Sequence, residues 1–386
     1  MLRLLHTADV HLGARHADLG EQATAQRERQ FAAFRASVDL ALAEKVDLFL
    51  IAGDLFDSNV QPRRSVDRVA AELRRLVDAR IRCVLIPGTH DVYDRASIYR
   101  ANDLPALAGE AGPDFVTLLT PERPSARLEA LDLTVHGRVF ATKRAPHSPL
   151  AGFDVSEDPS TWQVGMIHGS ISIPGQTEHD EVVITTEEIA ASKLDYLALG
   201  HWHSSSRAKA GKTAYAYSGA PEPVALDQDR AGHVLLVTLD LKDGKRDVQV
   251  EKRKVGRTTF EKLEIDAATV ASQPALIDLL ASRASEDLVL DVGLIGVRPD
   301  ALDVREEEIE AELAARFLKI RVRDRSVPPL SEGPLPPEDT ILGAFVRDVE
   351  AGIAELEAAD DAAAAAETRD VLRLGRLLLA GEEVSL

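Results

Sequence analysis

Acids and histidines recur in this chain as short clusters, each following an apolar run. Asp9-Val10-His11 follows LRLLHT, Gly53-Asp54 follows VDLFLIA, and Gly88-Thr89-His90-Asp91 follows IRCVLIP. His168-Gly169 follows QVGMI, and Gly200-His201-Trp202-His203 follows DYLAL. One catalytic metal takes about three protein ligands, and the clusters offer roughly twice that. Such a set suits two metals sharing a bridging carboxylate. Carboxylate and neutral imidazole together favour Mn, Fe or Zn over Ca or Mg. Two ions about 3.5–4 Å apart clamp a phosphoryl group and activate water at neutral pH, so the chemistry in view is phosphodiester hydrolysis. His90 stands beside the expected metal positions and could give the leaving oxygen a proton or stabilise its charge.

An isolated Asp-x-His is more often surface decoration than a ligand pair, so Asp9 and His11 gain weight only from the other four clusters. His6 reads as a buried strand residue, and His136, His147, His179 and His233 match no motif. Asp91 could cap a following helix, the commoner role, or orient a ligand, and Trp202 could pack beneath the metals, again the commoner role, or contact substrate. Arg27 with Arg29, Arg63 with Arg64, Arg95 with Arg100, and Lys143 with Arg144 are candidate phosphate contacts. Each such pair is more often a solvated face.

The elements that must carry these clusters alternate. Residues 2–8, 46–53 and 81–87 read as strands, the second nearly all apolar, as expected when both faces are covered. Between them, Phe31, Phe34, Val38, Ala41 and Leu42 have helical spacing across 24–45. Pro62 can open a second helix, whose stripe is Val66, Val69, Leu73, Leu76 and Val77. Alternation of this kind predicts an α/β layered fold. Open α/β sheets bind ligands beyond the carboxyl ends of their strands, so clusters from five strand ends can converge. Asp54, on the strand between the first and third, is the natural bridging carboxylate. From about 130 to 255 the chain turns strand-rich, with Asp243-Gly244 as a hairpin signal, and predicts a mixed sheet packed on the first layer. Residues 256–325 read as a small β-α-β-α-β unit. Residues 326–339, SVPPLSEGPLPPED, read as a Pro-rich linker. Residues 340–386 read as a helical tail with two amphipathic segments separated by five alanines at 362–366.

Composition sets outer bounds. The chain has 386 residues, 45% of them hydrophobic, enough for a sizeable core and more than one domain. No apolar stretch approaches the roughly 20 residues of a membrane span, so no membrane partner is expected. The opening MLRLLHTADVHLG does not read as a signal peptide, because Asp9 and His11 interrupt it and no small-residue cleavage site follows. The lone Cys83, inside an apolar run, excludes an intramolecular disulfide and reads as a small buried hydrophobe. An intracellular, cytoplasmic protein is expected. The formal net charge of -19 opposes non-specific attraction to nucleic acid. A polyanionic substrate must therefore be held by local basic patches, by metals or by a partner.

The ordered motifs LHTADVHLG, AGDLFD, PGTHD, IHG, ALGHWH and YSGAPEP resemble the calcineurin-like metallophosphoesterases, and within them the SbcD family. That family includes the nuclease subunit of the bacterial SbcCD complex and the meiotic recombination nuclease of archaea and eukaryotes. The resemblance covers residues 1 to about 225 and implies a four-layer α/β/β/α sandwich over 1–255. It further implies a small α/β capping domain at 256–325, and the two amphipathic segments of the tail 340–386 would either bind the partner or pack on their own domain. One metal would be held by Asp9, His11, Asp54 and His203, the other by Asp54, His168 and His201. His90 would assist cleavage and Asp57 would orient its neighbours, since metal-site histidines need carboxylates behind them. The family carries Asn as a metal ligand where this chain has Thr89, a shorter and weaker donor. By the same resemblance the ions would be Mn and the substrate DNA, cleaved 3′-to-5′ on duplex and internally on single strands during double-strand break repair. The partner would be an SbcC-like SMC-type ATPase, and a homodimer is expected. Two other functions fit the same core: a phosphoesterase for small phosphodiesters or phosphoproteins, or an inactive adaptor for an ATPase.

Overall fold

A computed structural model describes residues 1–177, 179–224, 228, 230–299, 301–327, 336–359 and 361–379, with the side chains of Asp18 and Glu21 excepted. The chain forms two compact units, Met1–Thr259 and Phe260–Leu386.

In the first unit, strands β1 (Leu2–Thr7), β2 (Leu48–Ala52), β3 (Arg82–Ile86) and β4 (Val116–Leu118) run parallel. Helices α1 (Ala23–Ala43) and α2 (Arg63–Asp78) alternate with them. The second sheet takes β5 (Ser125–Leu128), β6 (Leu133–Gly137) and β7 (Trp162–His168). A parallel two-stranded ribbon, β8 (Ser170–Ile171) with β9 (Val183–Ile184), follows. Strands β10 (Tyr196–Gly200), β11 (Ser206–Ala210) and β12 (Thr213–Tyr217) complete that sheet in the order β11-β12-β10-β7-β6-β5.

One expectation is corrected here. Residues 233–254 do not join the second sheet. They form β13 (His233–Lys242) and β14 (Lys245–Lys254), and β13 pairs antiparallel with β1. The first sheet is thus β14-β13-β1-β2-β3-β4. The physical reason is the open edge of β1, whose ladder groups need partners. The turn itself follows the Asp-Gly signal: Asp243 and Gly244 both take positive φ, 51° and 73°.

Side-chain alternation makes the layers. Leu5, Phe49, Ile51, Cys83 and Leu85 face α1 and α2 and bury with Phe34, Val38, Val69 and Leu73. Their neighbours Leu4, Leu48, Leu50, Val84 and Ile86 face the other way, against Val135, Val164, Met166, Tyr196 and Ala198 of the second sheet. The far face of that sheet, with Ile167, Leu197 and Leu199, packs on Ile189 of helix Thr186–Ala191. This is an α/β/β/α sandwich, and strand period two explains why each strand serves two cores.

In the second unit, β15 (Thr259–Asp266), β16 (Leu288–Ile295) and β17 (Lys319–Asp324) form a three-stranded sheet in that order. Helices Gln273–Ala281 and Glu306–Leu313 pack on it through Leu276, Leu280, Ile309 and Leu313. Helices Ile341–Ala358 and Ala362–Leu379 fold back on each other around Val346, Ile353 and Leu372. The five alanines open the second of these helices and do not separate the two, as alanine's high helix propensity dictates. Asp361 accepts from Ala364 N at 3.0 Å and caps the start. The greater part of the linker expected at 326–339, namely 328–335, lies outside the described residues. Among the described residues no helix is long and apolar enough to cross a membrane.

Candidate metal centre

Parallel strands within each sheet point their carboxyl ends to one edge, and the edges of the two sheets meet. Asp9 and His11 leave β1, Asp54 leaves β2, Thr89 and His90 leave β3, His168 ends β7, and His201 and His203 leave β10. The structure brings these side chains together. His168 Nε2 lies 3.0 Å from Asp54 Oδ2, and His11 Nε2 lies 3.7 Å from the same oxygen. His11 Nε2 faces His203 Nε2 at 3.1 Å. Ligand atoms cluster within 4.8 Å in three groups: Asp9, His11 and His203; Asp9, Asp54 and His168; and His11, Asp57 and His90. His201 stands outside these groups, its ring edge-on to His168 with centroids 5.3 Å apart. Thr89 is buried beside His168.

The backbone is bent to achieve this. Asp9, His11 and Asp54 adopt left-handed φ of 54°, 48° and 50°, and His201 has φ 101°. Non-glycine residues with positive φ carry strain that surrounding structure must hold. Here the loops grip one another: Asp9 N donates to Gly53 O (3.1 Å) and His11 N to Asp54 O (3.0 Å). His201 N donates to Asp9 Oδ1 at 2.9 Å, and His90 N to Asp54 Oδ1 at 2.7 Å.

Asp91 is corrected. It does not cap a helix. Fully buried, it accepts from Gly88 N (2.7 Å), Phe56 N (3.1 Å) and Tyr99 Oη (2.5 Å), tying the loops after β2 and β3 together. The next helix does not begin until Ile98, and Ser97 caps it by accepting from Tyr99 N. Trp202 packs: it stacks on Tyr217 with centroids 4.6 Å apart. His6 is buried in β1 and its Nδ1 is 2.8 Å from Tyr196 Oη. Two supports carry no motif in the sequence. Gln228 contacts His203 Nδ1. The main-chain oxygen of Ala52 accepts from His168 Nδ1 at 3.0 Å.

The electrostatics are those of a cation site. Burial alone would depress the His168 imidazole, but Asp54 and Asp9 beside it raise it to about 10. Burial likewise opposes, and Asp57, Asp54 and Asp9 outweigh it, so that His11 is raised. Burial would lift Asp54, yet the neighbouring His168 and His11 hold it far below the usual carboxylate range. Asp9, pushed up chiefly by burial, reaches about 6. Burial lowers His201 to about 4 and His203 to about 3, so both stay neutral. Asp9 Oδ2 is buried without a hydrogen-bond partner. An orphaned buried acceptor of this kind is costly, and a bound cation would satisfy it. Carboxylates with neutral imidazoles fit a first-row divalent metal.

Fold and site together define a class. The chain belongs to the calcineurin-like phosphoesterase family, whose model matches residues 2–205. It is similar to the DNA double-strand break repair protein Mre11 of Aeropyrum pernix, 31% identical over 69% of this chain and 64% of that one. It is also similar to the Mre11 protein of Methanosarcina mazei, 25% identical over 92% of this chain and 54% of that one. A third relative is the uncharacterized metallophosphoesterase YhaO of Bacillus subtilis, 25% identical over 74% of this chain and 68% of that one. The chain thus spans less than two thirds of the length of both Mre11 relatives.

Proposed function

We propose that this chain is a metal-dependent DNA nuclease of the SbcD type, hydrolysing phosphodiester bonds in double-strand break repair. It would act as a 3′-to-5′ exonuclease on duplex ends and as an endonuclease on single strands, in the cytoplasm, with an SMC-type ATPase partner and as a homodimer. The observation that carries the reading is the buried Asp54 carboxylate lying between His168 at 3.0 Å and His11 at 3.7 Å. The Mre11 names of relatives aligned along most of this chain support DNA as the substrate.

Asp9, His11, Asp54 and His203 would hold one cation, and Asp54, His168 and His201 the other, with Thr89 at the position where the family carries Asn. Bound divalent ions, Mn in this reading, supply Lewis-acid activation of water and neutralise phosphate charge. The chain's own groups do the rest. Asp57 Oδ1, 3.3 Å from His11 Nδ1, fixes that ring and leaves Nε2 facing inward. Ala52 O does the same for His168. His90, 44% exposed, donates Nδ1–H to Asp57 O at 3.1 Å and so presents Nε2 to the open side of the site. From there it can give a proton to the leaving oxygen. Residues 256–325 would cap the site and discriminate DNA structures, and the helical hairpin of residues 341–379 would meet the ATPase.

The test is a Mn titration with duplex DNA, single-stranded DNA and a chromogenic phosphodiester, with and without the ATPase. Cleavage of both DNA forms is expected. Hydrolysis of the small ester alone sinks the nuclease reading and leaves a small-molecule phosphoesterase.

A further inference from the structure

Strand β6 shares the ligand-bearing edge and is the parallel neighbour of β7, with Gly137 in register with Met166, two residues before His168. The residue that leaves β6 is Arg138. It lines a cleft with Thr89, Phe140, Thr142, Lys143 and His168, so the cleft opens beside the candidate metal centre. Arg138 N donates to Met166 O at 3.1 Å and Nε donates to Pro149 O at 2.7 Å, which fixes the guanidinium. Its Cζ lies 5.2 Å from the Phe153 ring centroid. Among the described residues Arg138 forms no ion pair, whereas Lys143 is 3.6 Å from Glu181. Burial without a counter-charge holds its guanidinium below its ordinary value. A partly buried, immobilised and uncompensated arginine is a receptor for a phosphate, because the guanidinium fork matches phosphate oxygens.

We propose that Arg138 binds a phosphate flanking the scissile one and so selects polynucleotides over isolated phosphodiesters. The proposal rests on the phosphodiesterase reading of the centre and adds the residue by which a polymer is told from a simple ester. It also bears on the charge problem. With a net charge of -19, the long-range field repels nucleic acid, so a short-range built contact must do the holding.

The test uses the full chain with Mn and two substrate pairs. One is thymidine 5′-(p-nitrophenyl phosphate) with and without a 3′-phosphate. The other is thymidine 3′-(p-nitrophenyl phosphate) with and without a 5′-phosphate. In the wild type the added phosphate raises kcat/KM in one pair by about tenfold or more, the value of a hydrogen bond to a charged group. In Arg138→Gln that ratio collapses toward one, and in Arg138→Lys it is intermediate. Calorimetry gives a second readout: thymidine 3′,5′-bisphosphate binds wild type more tightly than Arg138→Gln. A ratio in Arg138→Gln equal to wild type overturns the proposal, and an equal loss on all substrates does so too, because it marks Arg138 as structural. Failure of the wild type to cut DNA, with the phosphate ratio intact, sinks the nuclease reading while the Arg138 contact stands.

Discussion

At the scale of single residues, the candidate centre is an arrangement of compensating charges. Asp54 and Asp9 keep His168 protonated, and Asp57, Asp54 and Asp9 pull His11 in the same direction. A cation must displace the His168 proton, since only neutral imidazole ligates. The sign follows: His168, raised to about 10, is protonated throughout the neutral range, so raising pH frees the ligand and tightens binding. We expect apparent Mn affinity to rise by about tenfold per pH unit for each proton displaced. Calorimetric titration in two buffers of different ionisation enthalpy counts the protons, and pH-independent affinity would contradict the charge pattern. Two substitutions then separate holding from catalysis. Asp54→Ala removes the carboxylate that lies between His168 (3.0 Å) and His11 (3.7 Å) and should weaken Mn binding beyond the roughly hundredfold that loss of an outer support costs. His90→Ala should leave Mn stoichiometry intact and lower turnover by about 10²–10⁴-fold, the usual share of a general acid. Loss of metal in His90→Ala would instead make His90 a ligand.

At the scale of elements, the geometry depends on how sharply the chain leaves each strand. Gly53 takes φ 92°, and a Cβ there would lie 2.3 Å from His168 Nδ1. Gly53→Ala therefore strains the backbone and pushes the imidazole off Ala52 O. A stability loss of about 1–3 kcal/mol is expected, together with weaker Mn binding, read by thermal denaturation and calorimetry. A variant unchanged in both would show that the glycine is dispensable. Much of this level was legible beforehand, because apolar runs ending in Asp or His mark strand ends, and alternating strands and helices mark the layers. The left-handed turns at Asp9, His11 and Asp54 were not legible, since their φ is imposed by hydrogen bonds between loops distant in sequence. Asp91 was misread for the same reason: its donors Phe56 and Tyr99 come from other segments. The place of β13 was hidden because strand periodicity says nothing of which open edge a strand will join.

At the scale of the whole molecule, every residue of the candidate centre lies in Met1–Thr259, and so do its three buried clusters. The end of that unit is tied down internally. Glu222, 1% exposed, accepts from Arg257 N at 2.8 Å and from Thr258 N at 3.0 Å. Gln26 of α1 reaches Pro223 O at 3.0 Å and Thr258 Oγ1 donates to Gln26 Oε1 at 3.2 Å. A chain ending at Thr259 keeps all of these bonds and all of the site's donors. It should therefore fold cooperatively, bind Mn with the stoichiometry of the full chain and hydrolyse a chromogenic phosphodiester at the full-chain rate. What it should lose is discrimination between duplex and single-stranded DNA, because in the proposed division of labour that task falls to residues beyond 259. Thermal denaturation, Mn titration and paired DNA cleavage assays on the two chains measure each part separately. A shortened chain that retains the full preference among DNA forms would place substrate selection within the sandwich itself, on contacts such as Arg138.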